Sequence, residues 1–80
     1  MIEELNDPIE VILHGTPGNL QPIRFRRKDR VYKIKQIYNR WRETTGSHEL
    51  LHITAVTDSG DSVELVFDLH ALTWTLRRMV

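Results

Sequence analysis

Four histidines, eleven acidic residues and no cysteine are the raw material for catalytic or metal chemistry in this 80-residue chain. His14, His48, His52 and His70 fall on separate segments, whereas a metal site needs at least three donors converging on one point. His14 and His52 share the outward parity of two predicted strands, and a solvated histidine accounts for each. Asp58, Asp61 and Glu64 cluster about a turn, and the turn chemistry of Asp-Ser-Gly-Asp explains them without a site. There is no glycine-rich phosphate loop, no HExxH and no serine flanked by glycines. The expectation is a protein that is not an enzyme and uses neither metal nor cofactor.

Charge is the feature with functional weight. Between residues 24 and 42 stand nine basic groups against one acid, a net charge of +8, while the rest of the chain holds two basic and ten acidic groups, a net of −8. A formal total of zero therefore hides a strong asymmetry. The stretch Gln21–Glu43 also carries Phe25, Tyr32, Tyr38 and Trp41, four of the six aromatic residues. Arg24 and Arg26 alternate with Ile23 and Phe25, so a strand here projects both arginines from one face. Lys33 and Lys35 on the next strand extend that surface, and Arg27, Lys28 and Arg30 surround the turn between them. Several cations on a rigid platform are what phosphate recognition needs, because each phosphate neutralised releases counterions. Seven residues are thus candidates for nucleic-acid contact: Arg24, Arg26, Arg27, Lys28, Arg30, Lys33 and Lys35. The plainer account is cross-strand pairing with acidic strands, Glu64 and Asp68 for example, worth about 0.2–1 kcal/mol per pair. Phe25, Tyr32 and Trp41 read as core rather than as stacking platforms in a chain this poor in large apolar residues.

Positioning these groups requires strands. Ile9, Val11 and Leu13 alternate with polar residues, as do Ile23 and Phe25, then Leu51, Ile53 and Ala55, and Val63, Leu65 and Phe67. That is the period of a half-buried strand. Leu72, Trp74 and Leu76 form a last segment of the same kind. Turn formers separate them: Gly15–Asn19, the tip at Lys28–Asp29–Arg30, a loop over Glu43–Glu49, and Asp58–Asp61. Within Val31–Glu43 the parity changes, since Tyr32 and Ile34 share one face but Ile37, Asn39 and Trp41 fall on the other. Either a bulge near Lys35–Gln36 flips the register or a short helical turn carries Ile34, Ile37, Tyr38 and Trp41, and the β-branched and aromatic content favours the bent strand.

The fold class expected is all-β, a five- to six-stranded antiparallel meander rolled into a small barrel or half-barrel, in one domain over residues 1–80 with 1–7 flexible. A flat sheet would leave both edges unmanaged. The expected interior is Ile9, Val11, Leu13, Ile23, Phe25, Tyr32, Ile34, Leu51, Ile53, Val63, Leu65, Phe67, Trp74 and Leu76. Lack of cysteine fits a reducing cytosol, the acidic N-terminus does not read as a secretory signal, and no apolar run approaches the roughly 20 residues of a membrane span.

The segments PIEVIL, PIRFRRKDRVYKIKQIYNRW and LLHITAVTDSGDSVELVFDLHALTWTLRRMV together resemble a small bacterial all-β domain family of unknown function. Such domains occur alone and as C-terminal appendages of Y-family, ImuB-like DNA polymerase proteins. The likeness covers about residues 7–80 and is a pattern of aromatics and turns with no catalytic motif. This chain departs from it at GSHE, where a Trp pair often stands, and at Met79–Val80, where the family ends in Tyr-Asp. The resemblance implies a DNA repair or lesion-bypass context, and the basic hairpin makes single-stranded nucleic acid the expected ligand. The alternative is a module that docks a polymerase or repair protein by a free sheet edge, the first or the last strand.

Overall fold

Five short turns, most with identifiable local chemistry, set the order of the strands. The computed structural model of the protein describes residues 3–80, which form β1 (Glu3–Thr16), β2 (Asn19–Arg27), β3 (Arg30–Thr45), β4 (His48–Thr57), β5 (Ser62–Asp68) and β6 (Thr73–Met79). Pro17–Gly18 joins β1 to β2; proline presets φ at the first central position and Gly18 takes φ 76° at the second, the pattern of a type II turn. Gly46–Ser47 joins β3 to β4 with Gly46 at φ 59°, so the loop expected over Glu43–Glu49 contracts to two residues, flanked by the pair Thr45–His48. At Thr57–Asp61 the Thr57 hydroxyl accepts from the Asp61 amide at 3.1 Å, so Asp58 and Asp61 lie in a turn, whereas Glu64, grouped with them, is a buried residue of β5 bonded to His52. After β5, Asp68 Oδ1 accepts from the amides of His70 and Ala71, both at 2.9 Å.

The six antiparallel strands close into a small barrel in sequence order, and there is no helix among the described residues, so none that could cross a membrane. Closure depends on two strands that each serve two sheets. β1 pairs with β6 over Glu3–Ile9 and with β2 over Glu10–Thr16. β3 pairs with β2 over Arg30–Lys33 and with β4 from Ile34 to Thr45. Corners of this kind need bulges. In β3 the ladder to β4 skips Lys35 and again Tyr38, so the strand is bent as expected, but by two bulges rather than one. The stretch 1–7, expected to be flexible, is part of β1 from Glu3 onward, and Met1 and Ile2 lie outside the described residues. β1 and β6, expected as free edges, pair with each other, which removes both as sites for strand addition.

Inside the barrel, Phe25, Tyr32, Ile53, Ala55, Val63, Leu65 and Leu76 form the buried core, with Ile9, Val11, Ile34, Leu51 and Trp74 packed partly buried against it. Phe25 stacks on its cross-strand partner Tyr32 with centroids 4.9 Å apart, so both aromatics are core. Three expectations fail. Trp41, read as core with these two, is 40% exposed and stacks on His52 on the outer face. The β1–β2 ladder steps from Ile12–Arg24 to Leu13–Pro22, leaving Ile23 as the extra residue; it is 46% exposed and Pro22 is buried in its place. Leu72 sits in the β5–β6 turn with φ 58° and is exposed, so the last strand begins after it.

Phe25 is 1% exposed at the centre of this cluster. Phe25→Ala is expected to cost about 3–5 kcal/mol, most of the stability of a domain this small. Trp74→Ala is expected to cost less because the indole is only partly buried. Urea unfolding checks both, and an unchanged midpoint for Phe25→Ala would contradict the packing described.

Candidate nucleic-acid interface

The outer face of the β1–β2–β3 sheet is built from alternate residues of three strands. Ile12, Arg24 and Lys33 make one cross-strand row, and Glu10, Arg26 and Val31 the next. Arg24 and Lys33 are direct neighbours, both exposed, with Ile12 beyond Arg24 and Asp58, whose amide donates to the Lys33 carbonyl at 2.9 Å, beyond Lys33. Like charges directly opposite each other destabilise a sheet. In the next row Arg26 is paired with Glu10, whose carboxylate accepts from the guanidinium and raises its pKa further. Between the rows lies a depression of about 260 Å³ lined by Val11, Ile12, Phe25 and Val31 together with Arg24, Arg26 and Glu10. Ile12 and Val31 are large apolar side chains left exposed here.

The seven candidate residues do not share one surface. Arg27 and Arg30 flank the tip as a second like-charge pair, on the same side of the sheet as Phe25 and Tyr32. Arg27 Nε donates to Asp7 at 2.7 Å, and the Arg30 guanidinium lies over the Tyr32 ring, 5.0 Å from its centroid. Lys28 occupies the tip itself, at φ 56°, a left-handed conformation that costs a lysine roughly 1 kcal/mol or more. Lys35 is the exposed extra residue of the first β3 bulge. Arg24, Arg26 and Lys33 thus share the outer face, Lys28 and Lys35 border it, and Arg27 and Arg30 point to the barrel end. The acids that neutralise this hairpin come from β1 (Glu10 and Asp7), whereas Glu64 and Asp68 pair elsewhere.

Sequence reasoning misjudged His52. It is 2% exposed although it lies on the outer face of β4, because Trp41, its cross-strand partner, stacks on the ring at 4.8 Å with planes 4° apart. Its Nδ1 lies 3.0 Å from Glu64 Oε2 and its Nε2 2.8 Å from Glu43 Oε1. A neutral imidazole has one N–H and donates to one of these carboxylates; an imidazolium donates to both. Glu64 also faces Arg78 at 3.6 Å. His48 and His70, on separate segments of the sequence, meet at 4.8 Å, and His48 Nδ1 lies 2.9 Å from Asp68. The amide of Ala71 and then His48 hold the Asp68 carboxyl below the usual carboxylate range. A depressed carboxyl stabilises the fold above its ordinary pKa, and that contribution is lost as the pH falls through the lower folded value. Arg40 and Arg42 were missed for a related reason: only after two bulges do they, rather than Trp41, share the inward side with Ile37. Compared with protein-family models, curated proteins and solved structures, the chain finds no match.

Lys28→Gly relieves the backbone strain at the tip and is expected to raise stability by about 0.5–1 kcal/mol. Thermal unfolding of the variant checks this, and a loss of stability would contradict the turn geometry.

Proposed function

We propose that this protein is a small non-enzymatic binding module that contacts single-stranded nucleic acid, weakly and without sequence preference, through the outer face of its β2–β3 hairpin. One observation carries the reading: Arg24 stands directly opposite Lys33 and, among the described residues, neither forms an ion pair, not even with Asp58 beside Lys33, although the neighbouring row supplies Glu10 for Arg26. A pair that repels in the free protein is stabilised when a phosphate sits between the two cations. The strained lysine at the tip adds to this, since residues held in costly backbone conformations concentrate at functional sites. Arg24, Lys33, Lys28 and Lys35 track the phosphates in this reading. Ile12 and Val31 offer an apolar surface against which an unstacked base can lie. Phe25 and Tyr32 stay in the core, so base stacking contributes little and salt-dependent phosphate contact dominates.

The resemblance to appendages of lesion-bypass polymerases supports a DNA repair setting in a bacterial cytosol. Docking of a polymerase or repair protein by strand addition at β1 or β6 is the weaker reading, because these two strands occupy each other's edges.

Arg24→Glu separates binding from stability by sign. It turns a like-charge pair with Lys33 into an opposite-charge pair, so stability is expected to rise by about 0.2–1 kcal/mol. Affinity for a labelled oligothymidine, measured by fluorescence anisotropy at low salt, is expected to fall at least tenfold. For the unaltered protein, about four phosphate contacts give a log–log salt slope near −3. No binding at high micromolar protein, or equal binding by the variant, would overturn the proposal.

A further inference from the structure

The β2–β3 ladder covers only Arg24–Arg27 with Arg30–Lys33. Beyond it the two bulges carry β3 away to β4 while Asn19–Pro22 stay with β1, and the strands part. A cavity of about 390 Å³ opens between them, within the range of small-molecule sites. Its walls include Leu20, Leu51, Leu69 and Trp41, the last 40% exposed. Arg40 spans the seam: Nη1 donates to the Leu20 carbonyl at 2.9 Å and to Asn19 Oδ1. Those two bonds use both protons of Nη1. The other guanidinium nitrogens, Nε and Nη2, have no hydrogen-bond partner among the described residues, and no carboxylate there forms an ion pair with Arg40. Both are open to solvent, because no buried side-chain nitrogen lacks a partner.

The Nε–Nη2 edge of an arginine presents two parallel N–H groups that match the two oxygens of a carboxylate. Here that edge belongs to a half-buried guanidinium already fixed by the protein through its other nitrogen, so little rotamer freedom remains to be lost on binding. The neighbouring Arg42 is neutralised by Glu49 at 2.9 Å, which leaves Arg40 as the uncompensated cation of the cavity. We propose that the seam binds a small carboxylate carried on an apolar or aromatic body, with Arg40 as the anchor and Leu20, Leu51 and Leu69 covering the body. The site lies beyond the end of the β2–β3 ladder and is independent of the outer-face cations.

The test is an NMR titration of the full chain with N-acetyl-phenylalanine, its amide, phenylpropionate and adenosine monophosphate. Saturable shifts at Leu20, Trp41, Leu51 and Leu69 with a dissociation constant in the low millimolar range are expected for the acids. The uncharged amide is expected to bind at least tenfold more weakly, and Arg40→Lys to weaken the acids about fivefold or more while the spectrum stays dispersed. Tighter binding of N-acetyl-phenylalanine than of phenylpropionate would assign the site to a peptide C-terminus, and the reverse order to a free acid. The proposal is overturned if acid and amide bind equally, if the shifts fall on Arg24 and Lys33 instead, or if the nucleotide saturates the cavity and neither acid does.

Discussion

The bend in β3 is the constraint on which the rest of the structure depends. A straight strand of 16 residues would pair with one neighbour on each side along its length and leave the sheet open. Skipping Lys35 and Tyr38 lets the first part of β3 pair with β2 and the remainder with β4, so the core closes around Phe25, Tyr32, Ile53 and Leu65. The same bend frees the β2–β3 hairpin to present a separate outer face, and it parts the two strands at the seam that Arg40 bridges. Closure, charged face and cavity therefore have one cause. In a chain of this length no second core exists to compensate if that bend fails.

Charge is distributed so that the fold tolerates a concentrated basic segment. β1 supplies Glu10 and Asp7 to Arg26 and Arg27, which holds the hairpin against the barrel at two points. The exposed Arg26–Glu10 pair is worth little by itself, the Arg27–Asp7 pair is part-buried, and together they fix which cations remain free. On the opposite sheet, His52 between Glu43 and Glu64 under the Trp41 indole seals the outer face with polar groups that satisfy one another. That face is already occupied by its own side chains, whereas the β1–β2–β3 face keeps Ile12 and Val31 uncovered.

Much of the fold is legible in the residues because alternation is local. Leu51, Ile53 and Ala55, then Val63, Leu65 and Phe67, lie on inward parity without interruption, and the turns at Pro17–Gly18, Gly46–Ser47 and Thr57–Asp61 carry residues suited to them. Legibility fails wherever a bulge adds one residue, since a single insertion exchanges the two faces. Ile23 is outside for that reason, and Arg40 and Arg42 rather than Trp41 share the inward side at the seam. Tyr38, itself the skipped residue of the second bulge, is 65% exposed. The position of the bulge near Lys35 can be inferred from the parity change after Ile34, but the second bulge, at Tyr38, leaves no comparable mark. Of the candidate site, the existence of the basic hairpin is plain from composition. Which cations are neutralised is not, because Glu10 and Asp7 approach only once β1 has paired beside β2. Burial of His52 likewise depends on Trp41 arriving from another strand.

Backbone amide shifts mapped while an unlabelled oligothymidine is added at low salt test the central claim, that the bend in β3 produces a free anion-binding face, most directly. The account predicts perturbations concentrated at Ile12, Arg24, Val31 and Lys33, bordered by Lys28 and Lys35, with Tyr38, His52 and Val66 unchanged. Shifts centred on the Tyr38–Trp41 side of the barrel, or none at saturating oligonucleotide, would contradict it.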